Sequence, residues 1–584
     1  MRKLLPVLLL ISLSVQSVFA QGNFTPDQYK KALWLATRFY GAQRDGHGPN
    51  WLLMDHTYKT SFLRDGETDG VDLVGGWFDC GDNVLFGQTF FYTAYMLAKA
   101  YELFPTGFHD LYHGTDYSDY AESGNWSING GKPNGIPDLL EELKYATDWI
   151  IKATPNANTF YYQKGRAKGT GGDHQLWVTS SYKATLNRNS GGESDQPRPV
   201  YKNPNDGAMP SFAAAALATM SRIYRKYDPV YADMALAHAK YAYQYASSRK
   251  NNGAADPEGC CYGAMESNKI PLVFHIAASE MYKATNESSY LNDMVTQQIN
   301  RNWAFDYANP HDLAAYASAS TFTNNTQSYI NSMKSEFLDR YTSSSQINSE
   351  GINTDGGGWG QLRYVANHAF TAAIYSDLVK VTNYDQFIYN QVNYILGKNS
   401  RSLSFLIGFD DHGGMMASKP HHRNVFLNDQ LDNGSNFPNA VLQARSIPER
   451  NKSFGYMVGG NRNPNSYQDD MFHYESTEGG LDYQAGFVGV LAYIVAKLAP
   501  ADTSKFGVPP EEEPVPVISK TNTPLAQNSI IRFIGAYEFP AQNKSFTVQI
   551  FNSKGEAVSV LKSNGQAIKY TPQNLGIYFA RIRD

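Results

Sequence analysis

The stretch Asp72-Leu73-Val74-Gly75-Gly76-Trp77-Phe78-Asp79-Cys80-Gly81-Asp82 is a glycine-containing turn that leads into a predicted amphipathic helix over residues 84–104. Long loops rich in Gly, Asn and Asp alternate with such helices from Thr25 to about Leu498. We therefore expect a mainly α domain, in which rigid helices carry functional loops on one rim. The other predicted helices cover residues 27–44, 138–152, 210–227, 231–248, 271–285, 327–341, 361–381, 384–396 and 486–498.

Two clusters of acidic side chains lie far apart in the chain: Asp79 and Asp82 in the opening stretch, and Glu475 and Glu478 near the end. Both clusters stand among Gly and aromatic residues rather than on a Lys-rich face. One ionised and one protonated carboxyl group can act as base and acid on a glycosidic bond. Asp79 and Asp82 are close enough to titrate as a pair, although Asp82 could instead cap the following helix.

The charge and the first residues limit the possible partners. The net charge is −5 and the isoelectric point is near 6.2, with Lys and Arg scattered along the chain, so a nucleic-acid partner is not expected. Residues 1–20 combine a basic start, an apolar stretch and a small-residue cleavage site, which is typical of a signal peptide. We therefore expect a secreted protein, with attachment to a cell surface left open. No later run predicts a membrane span.

The chain has three cysteines, Cys80, Cys260 and Cys261. An odd and small number does not indicate a disulfide scaffold. The neighbouring Cys260 and Cys261 could form a bridge, but free thiols are the favoured prediction. No group of Cys and His has the spacing of a zinc site, so no metal ligand is assigned.

A change of composition near residue 499 predicts a second, smaller domain. A charged, proline-rich stretch suits a stiff linker. Beyond it, strands are predicted over residues 546–551, 557–561, 567–570 and 577–582. The predicted boundaries are a signal peptide at 1–20, a helical domain at 21–498, a Pro/Glu-rich linker at 499–524 and a small all-β C-terminal domain at 525–584.

Six motifs occur in order along the helical region. After the opening stretch come Asn134-Gly135-Ile136-Pro137-Asp138, Trp359-Gly360-Gln361-Leu362-Arg363-Tyr364, Tyr394-Ile395-Leu396-Gly397, Pro420-His421-His422-Arg423 and the segment from Tyr467 to Ala485. Together they resemble glycoside hydrolase family 9, the inverting cellulases, over about residues 27–498. The resemblance implies an (α/α)6 barrel with an open cleft, here followed by the small all-β domain.

The resemblance also implies roles for the acids. Asp82 corresponds to the general base and Asp79 to a residue that helps to position the water. Glu478 corresponds to the general acid, whose pKa a partly desolvated pocket would raise. Glu475 is nearly as good a candidate from its neighbours alone, and the spacing of the motif selects Glu478.

Two pairs of side chains are implied as substrate-binding residues. His421 and Arg423 resemble the family's pair that binds and orients the sugar at the cleavage point. His174 and Trp177 resemble a His–Trp pair at a subsite. We expect His422 to be structural, because a single His is more often a satisfied core residue than a ligand.

Aromatic side chains are further candidates, because their faces bind the apolar face of glucose. Trp359 and Tyr483 lie inside matched motifs and are ranked first. Tyr364 and Trp303 are also candidates, with Trp303 the weakest. For each of them, packing in a large core is the competing interpretation.

Acid–base hydrolysis requires no cofactor, and calcium is the ion that the resemblance makes possible. Many members of the resembled family hold calcium through a Ser-Asp…Glu stretch. In the corresponding segment, residues 205–212, the ligand positions fall on Ala208 and Phe212. Calcium prefers several oxygen ligands, including carboxylates, so we expect this site to be lost.

Together with the signal peptide, the resemblance therefore implies a secreted endo-β-1,4-glucanase that acts on a β-glucan such as cellulose and inverts the anomeric configuration. An exo-acting or mixed-linkage β-glucan or xyloglucan hydrolase of the same family remains open, as does an inactive glucan-binding protein. A polysaccharide lyase would need a Lys/Arg-rich cleft, which the sequence does not indicate.

The closing segment Leu575-Gly576-Ile577-Tyr578-Phe579-Ala580-Arg581-Ile582 resembles the C-terminal sorting domains of type IX secretion. This resemblance implies outer-membrane secretion machinery as a possible partner. A small accessory β-domain and a carbohydrate-binding module are the alternatives, although this region has no Trp.

Overall fold

The computed structural model describes residues 23–48, 60–110, 134–176, 178–423 and 455–498, together with the strands of a C-terminal region between residues 530 and 583. Internal contacts divide the chain into two units, Met1–Val508 and Pro509–Asp584. The first unit is helical. Its described helices are α1 Pro26–Ala42, α2 Gly87–Leu103, α3 Asp138–Ala153, α4 Ser180–Thr185, α5 Ala208–Ile223, α6 Pro229–Ser247, α7 Ile270–Thr285, α8 Ser288–Asn292, α9 His311–Thr321, α10 Thr326–Met333, α11 Asp339–Tyr341, α12 Gln361–Val379, α13 Asp385–Ile395, α14 Tyr474–Thr477 and α15 Leu481–Leu498.

Six of these helices close into a ring. Helix α2 packs against α5, α5 against α7, α7 against α9, α9 against α12 and α12 against α15, and α15 packs back against α2. A second set packs on this ring, with α1 on α15, α3 on α2, α6 on α5 and α13 on α12. Paired layers of helices therefore build the barrel that the sequence predicted.

The ring helices are apolar on nearly every side because they are covered from both directions. In α5 the four alanines at positions 213–216 are fully buried, and such small side chains allow neighbouring helices to approach closely. The segment Tyr474–Leu498, which contains α15, is long and apolar enough to cross a membrane. Its most apolar window is 83% buried inside the protein, as expected of a helix in the ring.

The observed helices differ from the predicted ones in several places, and the short helices α4, α8 and α14 were not predicted. The predicted helix over residues 327–341 is interrupted by a π-helical turn, Lys334–Leu338. Helix α9, which is rich in Ala, Ser and Thr, was not predicted. Helix α15 begins at Leu481 rather than at Gly486. A glycine is needed inside this helix, because a Cβ on Gly486 would lie 2.1 Å from the Asn367 side chain of α12.

Short strands complete the first unit. The strands β1 Leu85–Phe86, β2 Tyr161–Lys164 and β3 Val200–Lys202 form one antiparallel sheet, in which Leu85 pairs with Lys164. The strands β4 Leu403–Ser404 and β5 Met415–Met416 form a second, parallel pair. The first of these sheets begins just after the acid-bearing turn, the stretch from Asp72 to Asp82 that contains Asp79 and Asp82.

The second unit is built from strands, in agreement with the predicted all-β region. Its sheet has the order β6 Ile530–Ile534, β11 Ile577–Arg583, β8 Phe546–Asn552 and β9 Ala557–Ser563, and β7 Tyr537–Phe539 pairs with β10 Ile568–Tyr570. All these pairs are antiparallel. A small core forms where alternate strand residues point inward, and it contains Phe539, Phe546, Val548, Ile550 and Ala580. The sequence did not predict β6 and β7.

Candidate active site

The turn that carries the first two acids is held in shape by its backbone. The N–H of Asp79 donates to the carbonyl of Val84 over 2.9 Å. Gly76 has a φ of +81°, and a Cβ on it would lie 2.7 Å from the Leu85 side chain and 3.1 Å from the Trp149 ring. A glycine is required there because only it combines this backbone conformation with so little space.

Asp79 is buried within this turn, and both of its carboxylate oxygens accept hydrogen bonds. Thr89 Oγ1 donates to one oxygen, and Tyr262 Oη donates to the other. Burial raises the pKa of Asp79 well above its usual value, and the negative charges of Asp82 and Asp482 raise it further. Asp79 is therefore a carboxyl group that is held rigidly and is hard to ionise.

Asp82 does not cap the following helix. That helix begins at Gly87, and its N-cap residue is Phe86. Asp82 instead closes a tight turn, because its Oδ1 accepts the N–H of Val84 over 2.8 Å. The other oxygen, Oδ2, lies 3.9 Å from Nε2 of His174, which is half-buried. One oxygen of Asp82 therefore fixes the carboxylate, and the other lies on the side of His174.

Glu478 lies against this turn although it is almost four hundred residues away in sequence. Its Oε1 accepts the N–H of Gly81 over 3.4 Å, and its Oε2 accepts the indole N–H of Trp359 over 3.2 Å. The side chain is only 9% exposed. Burial, followed by the charge of Asp82, raises the pKa of Glu478 to about 8. Glu478 can therefore stay protonated at neutral pH beside Asp82.

The two acid-bearing segments contact each other directly. The N–H of Leu481 donates to the carbonyl of Asp79 over 3.0 Å. A Cβ on Gly480 would lie 2.8 Å from the Cys80 sulfur, which shows how closely the segments approach. Glu475, the rival candidate, is exposed three residues before Glu478. The structure thus brings Asp79, Asp82 and Glu478 together and leaves the Glu475 side chain in solvent.

An exposed pair of aromatic rings lies next to Glu478. Trp359 is 43% exposed and Tyr474 is 40% exposed. Their ring centroids are 5.1 Å apart and the planes are inclined by 35°. Flat apolar surfaces of this kind suit a sugar face. Trp359 was predicted as a platform, whereas Tyr474, which lies within the last of the six motifs, was not.

The two predicted histidines, His421 and His174, lie near the acids and differ in the direction in which their surroundings shift the pKa of the ring. His421 is buried beside Tyr474, and its Nδ1 donates to the Met471 carbonyl over 2.8 Å. Burial lowers the pKa of His421 to about 4, so the ring is neutral near pH 7. Burial also acts to lower the pKa of His174, but the carboxyl groups of Asp82, Asp173 and Glu478 together outweigh it, and the net shift is upward. His174 therefore supplies positive charge beside Asp82 more readily than an ordinary histidine.

Arg423 differs from its predicted role. It is fully buried, and its guanidinium donates to the carbonyls of Cys80 (3.0 Å) and Asp82 (2.6 Å) and to the side chain of Gln43 (2.7 Å). Its own N–H donates to the Gly81 carbonyl over 2.9 Å. Arg423 therefore braces the acid-bearing turn from within the protein instead of facing a sugar.

Tyr483 is also in a different place from the one predicted. It is 4% exposed and lies directly beneath Gly360, where a Cβ would come within 2.6 Å of its ring. The guanidinium of Arg363 lies 5.1 Å from the ring centroid. Tyr483 therefore supports the turn that carries Trp359, and it is too buried to stack against a substrate.

The remaining aromatic candidates have three different outcomes. Tyr364 is buried, and its hydroxyl accepts a bond from Arg363 over 2.9 Å. Trp303 is 53% exposed. Trp177 lies outside the described residues. His422 is buried against Gln43, as expected of a structural histidine.

Tyr262 is a residue of the site that sequence reasoning missed. Its hydroxyl binds Asp79, and its ring packs edge-on against Phe86 at 5.0 Å and Tyr307 at 5.4 Å. The only local signal was its position immediately after the unusual Cys260-Cys261 pair. Asp482, which raises the pKa of Asp79, was also missed.

Cys260 and Cys261 form a disulfide, so the prediction of free thiols was wrong. Cys80 is a free, buried cysteine. Nitrogen and sulfur atoms of His174, Cys260 and Cys261 lie within 4.8 Å of one another. The two sulfur atoms are bonded to each other, however, and a disulfide does not supply the thiolates that bind a metal.

The segment considered for calcium does not fit that ion. The carboxylate of Asp206 accepts the N–H groups of Met209 (2.7 Å) and Ala254 (2.8 Å). Ala208 and Phe212 are buried and carry no oxygen in their side chains. This segment therefore offers one carboxylate, which is already engaged by two backbone donors, where calcium needs several oxygen ligands.

One family of enzymes recurs in the comparisons with known proteins. The sequence pattern of glycosyl hydrolase family 9 matches residues 29–491. The chain is 33% identical over 424 residues to "Endoglucanase A" of Fibrobacter succinogenes, and the match covers 70% of this chain and 90% of that protein. It is 29% identical to "Endoglucanase A" of Bacillus pumilus, and that match covers 83% of this chain and 69% of the relative.

Solved structures with the same architecture include cellulases. The cellulase Cel9M of C. cellulolyticum is 26% identical, with a TM-score of 0.61, and the match covers 80% of this chain and 98% of that one. An endoglucanase from the termite Nasutitermes takasagoensis is 27% identical, also with a TM-score of 0.61, over 80% of this chain and 99% of that one. The predicted fold is thereby confirmed.

Proposed function

This chain belongs to glycosyl hydrolase family 9, and on that premise we propose that it is an endo-β-1,4-glucanase that inverts the anomeric carbon of its substrate. The observation that carries the mechanism is the position of Glu478. Its carboxyl group, with a pKa of about 8, contacts the N–H of Gly81, the residue before Asp82. An acid and a candidate base thus meet at one place, as hydrolysis of a glycosidic bond requires.

Glu478 is the proposed general acid. It donates its proton to the glycosidic oxygen as the bond to the anomeric carbon breaks, and it becomes a carboxylate. The N–H groups of Gly81 and Trp359 then stabilise the new charge, because hydrogen bonds to an ionised acceptor are stronger than those to a neutral one. These donors are in position before the reaction and need no rearrangement.

Asp82 is the proposed general base. It removes a proton from a water molecule, whose oxygen attacks the anomeric carbon from the side opposite to the leaving group. The configuration therefore inverts in one step. Asp79, held by Thr89 and Tyr262, is proposed to position this water. His174 supports the charge of Asp82 from 3.9 Å away.

Trp359 and Tyr474 are the proposed sugar platform beside Glu478. Their exposed faces can stack against consecutive glucose rings of a β-1,4 chain, and His421 lies at the edge of Tyr474 with a centroid distance of 5.7 Å. We propose that the neutral His421 ring binds a sugar hydroxyl beside this platform.

A pair of matched variants tests the function. Glu478→Gln should lower the rate of hydrolysis of carboxymethylcellulose by at least about a hundredfold, because general acid catalysis is lost. Glu475→Gln, three residues away and exposed, should retain the wild-type rate. A rapid loss of viscosity relative to the release of reducing ends would indicate endo action. A wild-type protein that binds the glucan but is as inactive as Glu478→Gln would instead indicate a glucan-binding protein.

Secretion and the role of the C-terminal region are proposed from sequence patterns alone. We propose that the protein is secreted after removal of residues 1–20, and that the C-terminal strands serve as a sorting domain for secretion machinery. Protein isolated from the growth medium should begin at Gln21. Deletion of residues 525–584 should leave the protein inside the producing cell, whereas unchanged export would favour an accessory domain.

A further inference from the structure

The segment between α6 and α7 contains a tightly bonded turn around one carboxylate. Asp256 accepts the backbone N–H groups of Glu258 (3.1 Å), Cys260 (3.0 Å), Cys261 (2.9 Å) and Tyr262 (2.8 Å). Its own N–H donates to the carbonyl of Tyr262 over 2.9 Å. These bonds fix the overall course of the turn around Asp256.

The side chains of this turn are anchored on the acid-bearing region. Cys260 and Tyr262 both pack against a small buried cluster formed by Val84, Phe86 and Ala167. The rings of Tyr262 and Phe86 meet edge-on at 5.0 Å. Val84 is also the residue whose N–H binds Asp82 and whose carbonyl binds the N–H of Asp79. The turn therefore packs directly behind the two acids.

The disulfide lies between solvent and the catalytic acids. Cys261 is exposed and Cys260 is half-buried. Both sulfur atoms lie within 4.8 Å of a ring nitrogen of His174, the neighbour of Asp82. The residue after the bridge, Tyr262, donates its hydroxyl proton to Asp79. A reductant in solution can therefore reach the Cys260–Cys261 disulfide. This disulfide immediately precedes Tyr262, whose hydroxyl binds Asp79.

We propose that the Cys260–Cys261 disulfide is a positioning element that holds Tyr262 against Asp79, so that its reduction lowers turnover. This inference rests on the proposed function, because it concerns the residue that positions the attacking water. The bridge joins the exposed Cys261 to the anchored Cys260 and so restricts the backbone immediately before Tyr262. The bonds to Asp256 persist without the bridge, so reduction loosens Tyr262 without unfolding the turn.

The redox step is simple in chemical terms. A dithiol reductant supplies two electrons and two protons, the sulfur–sulfur bond breaks, Cys260 and Cys261 become thiols, and the reductant becomes a cyclic disulfide. The effect is expected in kcat, because displacement of a positioning group by a fraction of an ångström can slow a reaction strongly. KM should change little, because the platform rings Trp359 and Tyr474 are held by each other and by the bond from Trp359 to Glu478.

The test compares the oxidised and reduced full-length protein on a soluble cello-oligosaccharide. Alkylation and intact-mass measurement confirm that reduction exposes two thiols, since Cys80 is buried. We expect kcat to fall about tenfold on reduction, with KM within about twofold, and to recover on reoxidation with oxidised glutathione. The variant Cys260→Ala/Cys261→Ala should have the lowered kcat from the start and should not respond to reductant.

Tyr262→Phe provides the decisive comparison. If the bridge acts through the Tyr262 hydroxyl, this variant should be slow and reduction should slow it no further, because the two changes remove one interaction. Reduction that leaves the wild-type kcat unchanged would overturn the proposal. So would reduction that slows wild type and Tyr262→Phe by the same factor.

A second measurement keeps the two proposals separate. If the oxidised wild type does not hydrolyse glucans at all, the proposed function fails. Hydrogen exchange of the peptide that covers residues 256–265 then decides the role of the bridge. Exchange should accelerate on reduction if the bridge restrains this segment, and equal exchange in the two states would contradict that role.

Discussion

Replacing Trp359 with Phe removes one hydrogen-bond donor from the proposed acid and keeps an aromatic ring on the platform. The indole N–H of Trp359 donates to Oε2 of Glu478 over 3.2 Å, and this bond lowers the pKa of Glu478 against the larger effect of burial. In the variant the carboxylate loses that donor. The pKa of Glu478 should therefore rise above its value of about 8.

The size of the shift follows from the strength of the lost bond. A hydrogen bond to a charged group contributes about 1.5–3 kcal/mol, and one pKa unit corresponds to about 1.4 kcal/mol. The distance of 3.2 Å is at the long end for an N–H···O bond, so the lower value applies. We expect a shift of about one pH unit.

The assay is the pH dependence of kcat/KM on a soluble cello-oligosaccharide, which reports groups of the free enzyme. The general acid must be protonated, so activity is present below the pKa of Glu478 and is lost as the pH rises through it. The high-pH limb should lie near pH 8 in the wild type and about one unit higher in Trp359→Phe. The control Trp303→Phe, also at an exposed Trp, should leave the limb in place. A limb that stays fixed or moves to lower pH in Trp359→Phe would refute the assignment.

Three further predictions concern the stability effect of Gly76, sugar binding by Tyr474 and the support that Arg423 gives to the acid-bearing turn. Gly76→Ala should destabilise the protein by about 1–3 kcal/mol. It should lower the melting temperature more than Gly70→Ala, because Gly70 also has a positive φ but has nothing within 4 Å of a Cβ. Equal losses of stability in the two variants would contradict this. Tyr474→Ala should raise KM by about two- to tenfold, because aromatic stacking contributes roughly 0.5–1.5 kcal/mol, and a change confined to kcat would argue against a platform. Arg423→Leu should lower both kcat and thermal stability, because the bonds to the Cys80 and Asp82 carbonyls are lost. A change in KM alone would instead support the predicted contact of Arg423 with sugar.

The helical fold was largely predictable, but one helix of the ring was not. Periodicity identified most helices to within a few residues, and the motifs implied the barrel. Helix α9 was missed because a helix covered on all sides has no polar stripe to mark it, and its small residues give a weak apolar signal. Gly486 is a second example. Its place inside helix α15 depends on the close approach of Asn367, a tertiary contact that local sequence does not report.

Three acids that the structure brings together, Asp79, Asp82 and Glu478, were predicted from the motifs. Their supports were not. The bond from Tyr262 to Asp79 joins residues 183 positions apart, and no local pattern reports it. The resemblance assigned Arg423 to sugar binding together with His421, but residue identity does not report which way a side chain points. In the structure its backbone bonds to Gly81, and its guanidinium is directed beneath the turn.

The central claim is that Glu478 and Asp82 act as acid and base on opposite sides of one glucosidic bond. Proton NMR of the first products from a cello-oligosaccharide, recorded before mutarotation, tests this claim most directly. Displacement by water in one step predicts that the new reducing ends appear first as the α-anomer. Products that appear first as the β-anomer would show retention and would contradict the account.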